Sequence, residues 1–405
     1  MKQEAQNKIL ELDLIGQYYA SIINKKQPGV FNISVHLKEC LNPQILQQAV
    51  NDLMRRLPFL SGRLRRGFFW YGHEILAQPP QIAPASGSPL FSDYYNRGSG
   101  HVLRVVYGEQ HFTVETLHSI CDGRGLTKVI CALLVRYYEL LGVKVDKSEI
   151  IDCSGAFQPE EAENAFVRFA SPQCKTNPSR KVKAYNPAIS NASRTQVISK
   201  KFSASKIKAA AKEHNATVTE YILAYIFKLI AEERAAWSNK NPITATIPID
   251  CRSFFPSKTL RSFVSGTTVI MPETEDFSEI LRHIQLQFAT VNKEYVHNNI
   301  SELQNRYNNS RFTPRFIKKI MMNIMDRFDA AGHTTGFSNL GIVKLPAEIE
   351  KYVDMLEFAI SLKQWTPYYF SCITVDDVMS LSASYRDKWL CFVESVMERI
   401  ETQAY

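Results

Sequence analysis

The sequence predicts a mixed α/β protein built as two layered halves. Helical and strand-like apolar periods alternate along the whole chain. A stretch rich in Pro, Ser and Asn over 154–196 divides it. The composition is 45% apolar and 22% charged over 405 residues, enough for large cores without disulfides or a structural metal. It excludes a disordered, collagen-like or fibrous chain. The expected division is an N-terminal lobe over 1–175, a linker over 176–196 and a C-terminal lobe over 197–405.

The elements follow in order. VFNISVHL (30–37) alternates apolar and polar residues and predicts a strand. Asn42-Pro43 reads as a cap followed by proline at the first helical position. Ile45, Leu46, Val50, Leu53 and Met54 then recur at helical spacing, which predicts an amphipathic helix over 43–57. Two β-rich runs around Gly108-Glu109-Gln110 predict a hairpin over 100–118. A broad-faced helix is expected over 125–142, stopped by Gly142. Beyond the linker, Ser203 caps an expected helix over 202–214. Thr217 and Glu220 have capping-box spacing at the start of another, over 216–233. Strands are expected over 241–250, 262–272, 368–377 and 378–385, and a last helix around 387–401. Over 314–328 a helix carries Ile317, Ile320, Met321, Ile324 and Phe328 on one side.

The apolar run VICALLV (129–135) is far shorter than the ~20 residues a spanning helix needs. The first residues lack the apolar core of a secretory signal. The eight cysteines are scattered and form no CxxC. Together these features lead us to expect a cytoplasmic protein with reduced thiols, and a monomer. The net charge is +8 and uneven. Asn164 to Lys212 holds eleven Lys and Arg and no acid, which suits a polyanion or a solvated linker. The stretch has few aromatics to stack bases, so nucleic acid is not an expected partner.

One constellation carries chemistry: His118-Ser119-Ile120-Cys121-Asp122-Gly123, an HxxxDG with a chance rate of about 0.01 in this composition. His118 ends an expected strand, and Asp122-Gly123 opens a helix. A neutral imidazole there can take a proton from a hydroxyl or amine. Asp122 sits too close in sequence to be assumed the partner of His118. A distant Arg could pair with it and fix the turn. Other readings compete: Asp122 as a plain helix cap, His118 as a core histidine, or the two as metal ligands. The metal reading lacks an HExxH-type partner. Ser119 lacks a nucleophile elbow, and no motif ties a second His to Cys121.

His118 to Gly123 resembles the HHxxxDG signature of the chloramphenicol-acetyltransferase-like acyltransferases. These include condensation domains, plant BAHD enzymes and alcohol acetyltransferases. LKECLNPQILQQAVNDLMRRLPFLSGRLR (37–65) is similar to their first helix and following strand. IPIDCRSFFPS (247–257) resembles the P-x-D-x-R stretch of condensation domains, and FVSGTTVIMP (263–272) the next strand. FSNLGIVKLP (337–346) resembles the S-N-x-G segment of alcohol acetyltransferases. Leu117 stands where the family has the first His of its doublet, and the plant D-F-G-W-G motif is absent.

The resemblance implies two α/β lobes arranged as a pseudo-dimer, with a tunnel between them entered from opposite faces. It implies an acyltransferase that moves an acyl group, acetyl first, from a CoA thioester to an alcohol or amine. His118 would be the general base, with no acyl-enzyme and no metal. Asp122 and Gly123 would be structural, with Arg252 the ion-pair partner of Asp122. Ser338, Asn339 and Gly341 would line the tunnel. Arg180, Lys181, Lys183, Lys200 and Lys201 are the expected contacts to donor phosphates or to a carrier protein. No permanent cofactor is implied, only acyl-CoA or a carrier thioester as co-substrate. The alternatives are a condensation-type enzyme using carrier-protein thioesters and a non-catalytic scaffold of the same fold.

Overall fold

The computed structural model describes residues 9–85, 100–177, 182–187, 195–234 and 240–404. The elements of the first half are β1 (Ile9–Glu11), α1 (Leu14–Ile22), β2 (Val30–Leu37), α2 (Pro43–Arg56), β3 (Gly62–Arg66), β4 (Tyr71–Ile75), β5 (Ala83–Pro84), β6 (Leu103–Tyr107), β7 (His111–Leu117), α3 (Gly123–Leu140) and α4 (Ala165–Phe169). The second half holds β8 (Gln196–Ser203), α5 (Ala204–Glu213), α6 (Val218–Arg234), β9 (Thr244–Asp250), β10 (Val264–Ile270), α7 (Phe277–Phe288), α8 (Lys293–Asn309) and α9 (Arg315–Ala331). It ends with β11 (Thr335–Val343), α10 (Ala347–Glu350), β12 (Val353–Ile360), β13 (Tyr368–Val375), β14 (Val378–Tyr385) and α11 (Leu390–Ala404).

Local chemistry sets most of the helix starts. The Asn42 carboxamide accepts from the Gln44 and Ile45 amides, and Pro43 fills the first helical position of α2. Leu46, Ala49, Val50, Leu53 and Met54 face inward, as the spacing predicts. At the start of α6 the capping box is complete. The Thr217 amide donates to Glu220 Oε2 at 2.7 Å, and the Glu220 amide to Thr217 Oγ1 at 3.3 Å.

Two main sheets form the layers, in the orders β12-β2-β7-β6-β5 and β10-β9-β11-β13-β14-β8. A smaller sheet runs β1-β4-β3. Helices α2 and α3 cover the first sheet over a core that includes Ile33, Val114, Leu53 and Leu133. Helices α5, α6, α7 and α11 belong to the second core, with Ile226, Phe337, Phe370 and Val396. Parallel pairing of β11 with both β9 and β13 sets the middle of the second sheet.

Strand β12 does not stay with its own half. It pairs antiparallel with β2 from Ile360↔Phe31 to Val353↔Leu37 and becomes the edge of the first sheet. The first sheet is therefore completed by a segment from within 197–405. The division into lobes by sequence and the division by sheet differ at this strand.

The described residues of the divider pack onto both halves. Arg56 makes a bidentate buried pair with Glu161 at 2.6 and 2.7 Å. Ala165 and Phe166 of α4 pack with Cys251, Phe263, Val296 and Ile300. The Ala184 and Tyr185 amides bond to the Ala331 and Pro242 carbonyls.

Helix α9 forms as its spacing predicts, but its apolar side faces out. Lys318, Met322, Asp326 and Ala330 are buried. Ile317, Ile320, Met321, Ile324 and Phe328 are exposed. The reason is polar. Tyr18 bonds to Asp326 Oδ1 and Gln27 donates to Oδ2 at 3.2 Å. Lys318 Nζ donates to the Phe69 carbonyl at 3.0 Å. These bonds turn the charged edge inward.

Candidate active site

The site is assembled where β7 runs into α3. Asp122 caps α3 by accepting from the Gly125 amide through Oδ1 at 2.8 Å. Its Oδ2 accepts from Arg252 Nη1 at 2.9 Å and from the Phe263 amide at 2.8 Å. One buried carboxylate thus ties the turn to the end of β9 and the entry to β10. Arg252 is held from four sides. It also donates to Asp250 Oδ1 at 2.9 Å and to the Thr259 and Arg261 carbonyls at 3.0 and 2.6 Å. Gly123 lets α3 lie against β11, since a Cβ there would meet Leu340 Cδ2 at 2.6 Å.

His118 follows the last residue of β7, and its amide donates to the Gly29 carbonyl at 2.9 Å. Its ring stacks on Tyr19 with centroids 4.2 Å apart and planes within 2°. Phe31 packs on it at 4.8 Å, tilted by 56°. Gly16 permits this approach of α1, because a Cβ there would sit 2.8 Å from the Ser119 carbonyl. Nδ1 is buried and finds no hydrogen-bond partner among the described residues. The ring also lines the cavity between the two sheets. Burial pushes the imidazole down to about 4, against the pull of its own backbone carbonyl and of Asp122. The ring is therefore neutral near pH 7 and able to accept a proton.

The cavity has a volume of about 670 Å³ and is lined from both sheets. Phe31 and Phe358 come from the first, with His118 just past the end of β7, and Thr246, Pro248, Ser338 and Asn339 from the second. Asn339 donates to Thr219 Oγ1 at 3.0 Å and accepts from the Gly341 amide at 2.7 Å. Gly341 itself is not in the cavity wall. It sits at φ +69° where the β11–β13 register shifts, so it shapes the bulge instead.

Other sequence-derived contacts lie elsewhere. Lys200 Nζ pairs with Glu401 at 2.6 Å, and Lys201 pairs with Asp354. Both are on β8, the edge strand beyond β14, and neither lines the cavity. Lys183 is exposed, off the cavity wall. Arg180 and Lys181 lie outside the described residues.

Several lining residues escaped the sequence reading. Tyr18, Lys363 and Asp329 form one network, with Lys363 Nζ 2.9 Å from Tyr18 Oη and 2.6 Å from Asp329 Oδ2. Burial opposes the charge, yet Tyr18, Asp329 and Asp326 around it hold the Lys363 ammonium well above its ordinary range. Arg124 and Lys128, one turn apart at the start of α3, flank a side pocket of about 330 Å³ with Arg252, Ser253 and Ser257. Their i, i+4 spacing beside Asp122 was the available signal.

Competing nucleophiles are sealed off. Cys121 is fully buried, and burial pushes its thiol up. Ser119 bonds to His73 at 3.1 Å, but both are buried and His73 is pushed down to about 3 by burial. No group of three His, Cys, Asp or Glu side chains that could hold a metal occurs among the described residues.

Comparison with known proteins agrees with this architecture. A model of the Transferase family matches residues 108–333, more than half of the chain. No curated protein matches by sequence. Among solved structures, polyketide synthase associated protein 5 from Mycobacterium tuberculosis is similar, with a TM-score of 0.64 and 13% identity over 98% of each chain. TRI101 of F. graminearum, solved with coenzyme A and T-2 mycotoxin, gives 0.66 and 12%, covering 96% of this chain and 97% of that one. The first condensation domain of the CDA synthetase gives 0.59 and 10%, covering 98% and 96%. At these identities the likeness speaks for the fold. With the family match across the HxxxDG segment, it follows that this chain belongs to the Transferase family and shares the fold of these acyltransferase and condensation-domain structures.

Proposed function

We propose that the protein is an acyltransferase that moves an acyl group, acetyl first, from a CoA thioester to an alcohol or amine, with His118 as general base. The observation that carries this reading is a neutral imidazole, clamped between Tyr19 and Phe31, at a cavity lined from both sheets. The acceptor O–H or N–H gives its proton to Nε2 as its heteroatom bonds to the thioester carbonyl carbon. The C–S bond then breaks, and the proton passes from the imidazolium to the leaving thiolate. Burial of Ser119 and Cys121 favours direct transfer over an acyl-enzyme. The Asp122–Arg252 pair holds the turn and takes no proton.

Arg124 and Lys128 suit the donor's phosphates, since they stand at a side pocket that shares Asp250, Arg252 and Ser253 with the main cavity. The coenzyme A in the TRI101 complex supports a CoA donor here. The test is thiol release from acetyl-CoA across alcohols and amines, run beside a carrier-bound thioester. Release that needs an acceptor and is lost in His118→Ala is expected. Turnover of the carrier-bound thioester alone would make this a condensation-type enzyme. No turnover of either would leave a scaffold.

A further inference from the structure

Helix α9 is inverted for a water-facing helix. Its seven exposed apolar residues, Phe316 to Phe328, cover roughly half of the circumference at 100° per residue. Phe316 is 62% exposed and Phe328 75%. A second element extends this face. The β3–β4 turn carries Phe68, 72% exposed, and Phe69, whose ring meets Phe312 at 6.4 Å. That turn is lashed to α9. The Arg315 amide donates to the Phe68 carbonyl at 2.9 Å, Arg315 Nε to Gly67 O at 2.8 Å, and Lys318 Nζ to Phe69 O at 3.0 Å. So the apolar surface is built and held. It far exceeds the scattered exposure normal for a soluble chain.

Cations predominate beside it, although Arg63 and Arg65 pair with Glu74 and Asp329 is exposed on the helix itself. Segments 23–28, 62–70 and 311–325 contain nine Lys and Arg (Lys25, Lys26, Arg63, Arg65, Arg66, Arg311, Arg315, Lys318, Lys319) and no Asp or Glu. Lys25, Lys26, Arg66, Arg311 and Lys319 are exposed, and so is Arg327 beside Phe328. The turn with Lys25 and Lys26 is joined to α9 through Gln27 and Asp326. A second copy meeting this face across a twofold would set these cations against themselves. A protein partner would require a matched rim of hydrogen bonds. The smooth apolar half-cylinder with a cationic border fits a fluid anionic surface.

We infer that the α9 face, with the Phe68–Phe69 turn, docks the protein onto an anionic lipid bilayer. A helix of 17 residues interrupted by Lys318, Lys319, Asp326 and Arg327 lies in the interface and does not cross it. Met325 belongs both to this face and to the cavity wall, so the bilayer would lie beside one cavity mouth.

The test is co-sedimentation of the full chain with vesicles of phosphatidylcholine, alone or mixed with phosphatidylserine. The protein should sediment with the anionic vesicles and much less with the neutral ones, and high salt should release it. Phe68→Ser/Phe316→Ser/Ile320→Ser should weaken partitioning at least about tenfold while keeping the wild-type melting curve. Arg66→Gln/Arg311→Gln/Lys319→Gln should weaken it on the order of tenfold to a hundredfold on anionic vesicles only. The second set stands on its own if the first fails to fold. Absence of wild-type binding, or undiminished binding by the folded variants, overturns the inference. So does a wild-type dimer in sedimentation velocity that the apolar variant dissolves, because a second copy then covers the face. None of these readouts depends on acyl transfer.

Discussion

Asp122→Ala removes three buried interactions at once. Loss of the cap to the Gly125 amide costs about 1 kcal/mol. The Phe263 amide, left without its acceptor, adds about 1–3 kcal/mol. Arg252 loses one of two carboxylates. A fully broken buried pair costs ~3–5 kcal/mol, and the Asp250 contact that remains at 2.9 Å reduces this. The contributions share partners and do not add, so the expected loss is about 3–5 kcal/mol overall. At roughly 2–4 °C per kcal/mol for a lobe-sized unit, Tm falls by on the order of 10 °C. Asp122→Asn offers little relief. Its carbonyl can keep the cap, but its NH2 then faces two donors, the Phe263 amide and Arg252 Nη1. It should melt close to the alanine variant. Circular-dichroism melts, paired with acyl-transfer rates below both midpoints, provide the measurement. An alanine variant that melts like wild type and is inactive would refute the reasoning, because Asp122 would then act on the reaction itself.

Further outcomes are expected at His118, at the side pocket and on β8. His118→Ala should stay folded near neutral pH, melt somewhat lower for the lost ring packing, and lose on the order of 10²–10⁴ in turnover, read from thiol release. With the imidazole pushed down to about 4, kcat/KM should stay flat through pH 6.5 and fall only as pH drops through about 4. The same depression means that protonation favours the unfolded chain: stability from this site is complete above pH 6.5 and declines as pH falls towards 4. His118→Gln should flatten that part of the melting profile. Arg124→Gln/Lys128→Gln should raise the donor KM and leave the acceptor KM nearly unchanged. Lys200→Gln/Lys201→Gln should change neither, since those side chains serve Glu401 and Asp354.

What the sequence made legible was local. The Asn42-Pro43 start, the Thr217–Glu220 box and the hairpin at Gly108 depend on neighbours a few residues away, and each appears where the spacing puts it. The HxxxDG was legible as a turn between strand and helix for the same reason. The remainder depends on pairings across the chain. Nothing near Tyr19 announces that it stacks on His118. Net charge between 164 and 212 counts cations but not their partners, and Lys200 and Lys201 turned out to have their own acids. Helix α9 shows the limit of periodicity. The 3.6-residue pattern located the apolar side correctly, but Asp326 and Lys318 had better partners inside than the apolar residues did.

The exchange of β12 has a consequence for biosynthesis. β2 and β7 can pair once residue 117 has left the ribosome, yet the strand that covers β2 ends at Ile360. At ~5–20 residues per second, the growing chain carries β2 as a bare sheet edge for roughly 10–50 s. Such an edge invites pairing with a neighbouring chain. Closing it joins residues more than three hundred positions apart, a slow step for any chain. A fragment that stops before β12 would keep that edge permanently. The N-terminal half with the HxxxDG is therefore a poor unit to express alone, and polysomes making this protein are a natural place for chaperones that shield unpaired strands.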